Sequence, residues 1–225
     1  MSALVLILRP EPGASDTAGR ARALGLDPVV APLFALRPLG WAPPDPARFD
    51  AVMLTSASAA RLAGGGMTSW LGLPCHAVGE ATAQAARDAG FGDVRTGLGD
   101  GAALLEAMAA DGIGAAFHPC GRDRIPLHHP KVDLLDLPVY AADAADRLPA
   151  AACAALDAGA LALLHSPRAA ALFAGLAGDA RAGVRIAAIS EAAAAAAGEG
   201  WRQVAVAPRP RDRALLELAA RLCRT

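Results

Sequence analysis

The sequence predicts an α/β fold of two similar lobes, each a parallel sheet flanked by helices, with a ligand cleft between them. Three observations carry that prediction. A long stretch appears twice: Asp50-Ala-Val-Met-Leu-Thr-Ser-Ala-Ser58 with His76-Ala-Val-Gly-Glu-Ala-Thr-Ala83 returns as Gly159-Ala-Leu-Ala-Leu-Leu-His-Ser-Pro-Arg168 with Ile186-Ala-Ala-Ile-Ser-Glu-Ala-Ala-Ala194. Each copy alternates short apolar runs with helical ones, the signature of βα units with right-handed crossovers. The tails match too, since Asp212-Arg-Ala-Leu-Leu-Glu217 repeats Asp100-Gly-Ala-Ala-Leu-Leu-Glu106. The chain is a βα unit of roughly 110 residues written twice.

Leu4–Leu8 is an unbroken apolar run, as in a strand covered on both faces. Ser15 or Asp16 is placed to cap a helix through Leu24, with Gly25 as its stop, and Pro28–Ala31 is a second strand. Residues 32–38 read as extended, and Trp41–Pro46 as a proline-rich connection. After the first repeat, broken by Gly64-Gly-Gly66, come a strand at Asp93–Arg95, a loop at 96–101 and a helix over 102–110 capped by Asp100. Gly114–Phe117 is a strand running into His118-Pro-Cys-Gly-Arg-Asp-Arg124, residues 125–131 are irregular, 132–140 are extended, and 143–157 are helical. The early strands pair either with those that follow or with those of the second copy; the spacing allows both.

Composition narrows the function classes. The 54% hydrophobic fraction is high, and much of the excess is alanine, which favours helix without bulk. A net charge of −1 supplies no field for nucleic acid, so an anionic ligand must be held by local groups. Cys75, Cys120, Cys153 and Cys223 are scattered, which fits reduced, buried thiols. With no secretory leader and no long apolar run, a cytoplasmic protein without membrane or nucleic-acid partners is expected.

In such sheets ligands sit beyond the carboxyl ends of the strands. The residues there are Arg9, Ser56, Gly79, His118 to Arg122, His165, Ser166 and Ser190. Ser56-Ala-Ser58 and Gly79-Glu-Ala-Thr82 lead into helices whose free N–H groups can take carboxylate or phosphate. Capping is the commoner duty of such Ser and Thr residues, but their recurrence in both halves favours a binding role. Arg9, Arg122, Arg124 and Arg168 are the nearest cations; a surface arginine is usually only solvated, but Arg9 directly follows a buried strand. Tyr140 is the only tyrosine, and a half-buried aromatic with a wet hydroxyl competes with a functional reading.

Other chemistries find no support. No G-x-S-x-G elbow surrounds Ser56 or Ser166, and Gly97-Leu-Gly-Asp-Gly101 is not a dinucleotide fingerprint. No lysine follows a glycine-rich phosphate loop, and no carboxylate pair stands out as acid and base. His118-Pro-Cys120 and His128-His129 lack a second pair at a metal-binding spacing.

The order of Leu6-Ile-Leu-Arg-Pro10, Leu54-Thr-Ser-Ala57, Val78-Gly-Glu-Ala-Thr-Ala83, Pro138-Val-Tyr140, Leu164-His-Ser-Pro167 and Ile189-Ser-Glu191 resembles the uroporphyrinogen-III synthase family over nearly the whole chain. The resemblance implies two flavodoxin-like lobes, residues 1–35 with 141–225 and residues 38–136, joined by linker strands at 32–38 and 137–141. It implies a cofactor- and metal-independent lyase of tetrapyrrole and heme biosynthesis. That enzyme cyclises hydroxymethylbilane, inverts ring D and releases water. It further implies a monomer that takes its substrate from the upstream bilane-forming enzyme. Tyr140 matches the family's tyrosine and becomes the expected proton donor. Arg9, Ser56, Ser58, Gly79, Thr82, Arg122, His165, Ser166 and Ser190 become the expected substrate contacts. The second copy has Ala193 where relatives tend to have threonine, which motivates a competing reading: a non-catalytic, two-lobed binder of a tetrapyrrole or another polyanion. A regulatory module sensing a small molecule is a third reading.

Overall fold

The computed structural model describes residues 3–97 and 99–224; Leu98, inside the expected loop 96–101, lies outside the described residues. In chain order the first elements are β1 (Leu4–Ile7), α1 (Gly13–Ala23), β2 (Asp27–Val30), β3 (Phe34–Pro38), β4 (Ala51–Leu54), α2 (Ala57–Leu62), β5 (Cys75–Ala77), α3 (Glu80–Asp88) and β6 (Val94–Thr96). There follow α4 (Gly101–Ala110), β7 (Ala115–Gly121), β8 (Asp133–Ala144), α5 (Ala150–Asp157), β9 (Leu161–Leu164), α6 (Pro167–Ala177), β10 (Arg185–Ala188), α7 (Glu191–Ala197), β11 (Gln203–Val206) and α8 (Asp212–Leu222). The chain divides into two compact units, Met1–Ala35 with Asp143–Thr225, and Leu36–Ala142.

The first unit holds a five-stranded sheet in the order β11-β10-β9-β1-β2. All its pairs are parallel, so the amino-terminal strand sits beside the second repeat, with Val5 opposite Leu161 and Leu6 opposite Ala162. Of the two pairings the sequence allows, the structure has this one. Burial explains which strands are central: every residue of β9 is buried, whereas β2 and β11 are partly open and Pro28 sits on an edge, where a missing N–H costs nothing. The core pairs Val5, Ile7, Leu161 and Leu163 with α1 and with Leu215, Leu216 and Ala219 of α8.

The second unit holds a six-stranded sheet, β3-β8-β7-β4-β5-β6. One face carries Phe117, Trp70 and Val52; the other carries Met53, Leu105 and Met108. Four aromatics give the first face its bulk in an alanine-rich chain: Trp70 and Phe117 stack with ring centroids 4.0 Å apart, and Trp41 and Phe49 pack on Phe117.

Several expectations need correction. Neither Ser15 nor Asp16 caps α1, which starts at Gly13; the Ser15 hydroxyl and amide donate to Glu11 instead. Residues 143–149 are not helical: β8 continues to Ala144 and α5 begins after Pro149, which enters a helix only at its start. Cys153 is exposed, unlike the other three cysteines. The strand expected to stop at Phe117 continues to Gly121. Its pairing with β4 covers only Ala116 and Phe117, so Pro119 has no ladder partner to disappoint on that side, and pairing with β8 carries the strand onward.

Candidate active site

The carboxyl ends of β4, β5 and β7 lie together in one sheet and deliver Thr55 with Ser56, then Gly79, then the His118–Gly121 segment. Ser56 is the N-cap of α2 and accepts from the Ser58 amide at 3.1 Å. Gly79 caps α3 without a side chain, and Thr82 is buried in that helix's first turn.

A cavity of about 340 Å³ opens at these ends, lined by Thr55, Ser56, His118, Gly121, Arg124 and Tyr140 among others. Tyr140 reaches it through a register shift. β7 and β8 pair in step from Ala115–Asp133 to Cys120–Pro138, but Gly121 then faces Tyr140, leaving Val139 without a partner in β7. Such a bulge re-aims the side chain that follows it. The Tyr140 hydroxyl donates to Ser56 Oγ at 3.2 Å. A Cβ on Gly121 would lie 3.0 Å from both Cζ and the hydroxyl oxygen of Tyr140, so only glycine lets the phenol rest in this position.

Beside the phenol runs a chain of hydrogen bonds. Thr55 Oγ1 meets His118 Nε2 at 2.9 Å, His118 Nδ1 meets Asp136 Oδ1 at 2.7 Å, and Arg124 Nε donates to Asp136 Oδ2 at 2.7 Å. His118 and Asp136 are partners in the β7–β8 register, which is why they touch. Burial pulls the His118 imidazole below its ordinary pKa, outweighing the pull of Asp136 toward the charged form. Burial pushes the Asp136 carboxyl up, but hydrogen bonds from Arg124 and His118 prevail and hold it below the usual carboxylate range.

Ligand atoms of His118, Cys120 and Asp136 lie within 4.8 Å of one another, the spacing of a metal site. The residues do not suit an ion. Two of the donors already bond each other, the Arg124 cation occupies the same carboxylate, and burial pushes the Cys120 thiol up to about 11 where a metal needs thiolate.

In the first unit the expected residues form a different arrangement. Ser166 and Ser190 cap α6 and α7, accepting from the Ala169 and Ala193 amides at 3.2 Å and 3.3 Å. His165, half-buried after β9, turns to Asp212 at 3.0 Å, and Asp212 also accepts from Thr17 at 2.9 Å and from Arg20 at 2.7 Å. The Arg9 guanidinium approaches Asp212 at 3.7 Å and donates to Thr17 at 3.3 Å, resting where a Cβ on Gly13 would lie only 2.8 Å away. Burial works against the Asp212 charge, but hydrogen bonds from His165, Arg20 and Thr17 hold its carboxyl well below the usual range.

Of the expected residues in the second unit, the structure brings Ser56 and Tyr140 to the cavity. Ser58, Gly79, Thr82 and Arg122 are not among the described residues that line it, and the Arg122 amide donates to the Tyr140 carbonyl at 2.8 Å. Sequence reasoning missed Thr55, Asp136 and Asp212, and placed Gly121 at a strand end without showing that it faces Tyr140. Thr55 had a signal, since it stands where the second copy has His165. Asp136 had none, because its meeting with His118 depends on the register between β7 and β8, which no local pattern records.

The family model described as uroporphyrinogen-III synthase HemD matches residues 15–217. No curated protein gives a significant sequence match. Among solved structures, the chain is similar to uroporphyrinogen-III synthetase from Helicobacter pylori 26695, with a TM-score of 0.66 and 16% identity over 99% of this chain and 100% of that one. It is also similar to a mutant uroporphyrinogen III synthase from the extremely thermophilic bacterium Thermus thermophilus, with a TM-score of 0.52 and 16% identity over 98% of this chain and 100% of that one. At such identities the structural likeness speaks for the fold, two lobes of mixed α/β structure with parallel sheets.

Proposed function

The chain belongs to the uroporphyrinogen-III synthase family, and from that premise we infer that it cyclises hydroxymethylbilane with inversion of ring D and loss of water. The reaction needs no oxidant or reductant. A proton reaches the departing hydroxyl, a pyrrole N–H proton is given up, and the resulting azafulvene is attacked by the substituted carbon of ring D. The spiro intermediate fragments and recloses with that ring reversed. Closure without inversion is chemically easy, so the protein contributes chiefly by holding the bilane in the folded geometry that favours spiro attack.

One observation carries the residue assignment: the sole tyrosine places its hydroxyl beside Ser56 Oγ in a cavity at the carboxyl ends of the strands. We assign Tyr140 as the proton donor to the leaving hydroxyl. A phenol is a weaker acid than a carboxyl or imidazolium group, so its contribution is modest. Arg124 beside the phenol, and the helix N-termini after Ser56 and Gly79, supply groups suited to substrate carboxylates. In the first unit we assign Arg9, Ser166 and Ser190 to the same duty, with His165 held against Asp212. Arg122 and Thr82 join them as contacts near the strand ends.

The protein, given hydroxymethylbilane, yields mainly isomer III; a product mixture equal to the spontaneous one ends this reading. Saturable binding without accelerated inversion points instead to a non-catalytic binder. Tyr140→Phe lowers turnover several-fold while keeping the fold, and unchanged turnover removes its role. No helix among the described residues is long and apolar enough to cross a membrane. We further propose a cytoplasmic monomer receiving the bilane by hand-over from the enzyme that makes it, because a free bilane closes spontaneously to the wrong isomer.

A further inference from the structure

We propose that His118 and Asp136 are positioning residues that keep the Thr55 hydroxyl a hydrogen-bond acceptor toward the cavity, where it takes a pyrrole N–H of the bilane. The pyrrole assignment rests on the synthase reading above; the state of the hydroxyl does not.

The geometry leaves one consistent arrangement of protons. Asp136 accepts from Arg124 through Oδ2 and meets His118 Nδ1 through Oδ1 at 2.7 Å. An ionised carboxylate only accepts, so Nδ1 carries the ring proton. His118 is 1% exposed, and its burial favours the neutral ring. Nε2 then holds a lone pair, and the Thr55 hydroxyl at 2.9 Å must donate to it. That commits the only hydrogen Thr55 has. Toward the cavity it lines, Thr55 offers oxygen lone pairs alone.

This arrangement selects for the substrate's donors. A carboxylate oxygen facing Thr55 would meet lone pairs, whereas Arg124 on the same cavity wall suits carboxylates. Pyrrole N–H groups are the bilane's backbone donors. One of them lies on the ring that loses its proton as water departs, and an acceptor fixed there favours that loss. The groups facing His118 are Asp136 from β8, Arg124 after β7, Thr55 after β4 and Cys120 on its own strand. The first unit does not repeat the device, because the position matching Thr55 is His165, which turns to Asp212.

The test has two arms on the full chain. With 15N-labelled histidine, His118 is expected at pH 7 as the neutral ring protonated at Nδ1; a ring protonated at Nε2, or at both nitrogens, overturns the proposal. In kinetics with hydroxymethylbilane, Thr55→Val is expected to lose about tenfold in kcat/KM, as loss of one well-placed hydrogen bond implies. Thr55→Ser should retain activity, and Asp136→Asn should weaken the Nδ1 preference in the spectra and raise KM. Thr55→Val with wild-type kinetics in an active enzyme overturns the pyrrole assignment. A wild-type chain that fails to form isomer III overturns the synthase reading itself, while the tautomer is still decided by the spectra.

Discussion

Replacing Gly121 with alanine tests the placement of Tyr140 without touching the tyrosine. The added Cβ would sit 3.0 Å from both Cζ and the hydroxyl oxygen of the phenol. Ordinary contact begins near 3.5 Å, so the ring must retreat by roughly 0.5 Å. The Tyr140–Ser56 hydrogen bond is already 3.2 Å long, at the outer edge of its kind. A retreat of that size removes it. Gly121 is not in the left-handed backbone region, so alanine adds no strain of its own. The fold should lose only about 1 kcal/mol, the lower end for mild overpacking, while turnover falls several-fold, about as far as in Tyr140→Phe. The double substitution should then be no worse than Tyr140→Phe alone, because both remove one interaction. The assay is turnover and isomer ratio from hydroxymethylbilane beside a denaturant melt. Wild-type turnover in Gly121→Ala, or losses that multiply in the double variant, would refute the reasoning.

Other consequences follow from the charged clusters. Asp212→Asn leaves Arg20, Thr17 and His165 without their shared carboxylate and should lower stability by about 2 kcal/mol in urea melts; an unchanged midpoint would show the cluster to be decorative. Acid should act on stability in two windows. His118 and His76 have folded pKa values lowered by burial, so the unfolded chain binds protons first and stability falls as pH drops below about 6.5. Asp136 and Asp212 are also held low in the folded chain, so their contribution is present above about 4 and is lost as pH falls through their folded values. Melts at graded pH check both windows, and His118→Gln should shrink the first.

The three serines at helix starts show how a residue can serve two readings. Ser56, Ser166 and Ser190 each cap their own helix, the ordinary duty of serine there, and only Ser56 among them also takes the Tyr140 hydroxyl. Gly79 keeps the first of its pair of helices open at the start, whereas Ser190 already occupies the Ala193 amide. The two halves have therefore diverged at the positions where their repeat is most visible.

The amino-acid sequence by itself determined the α/β class, the strand order along the chain and the places where strands end in small residues, because these depend on local periodicity and on a repeat that can be read in one dimension. It also singled out Tyr140 and Ser56, which sit in or beside those motifs. Tertiary structure alone decided that β7 runs past Pro119 and that a one-residue slip in β8 turns Tyr140 toward Gly121. It alone brought Asp136 to His118 and Asp212 to His165, partners well apart in sequence. The physical reason is that a register is set by pairing between distant strands and by the burial it achieves. No local pattern records which side chains will meet across it.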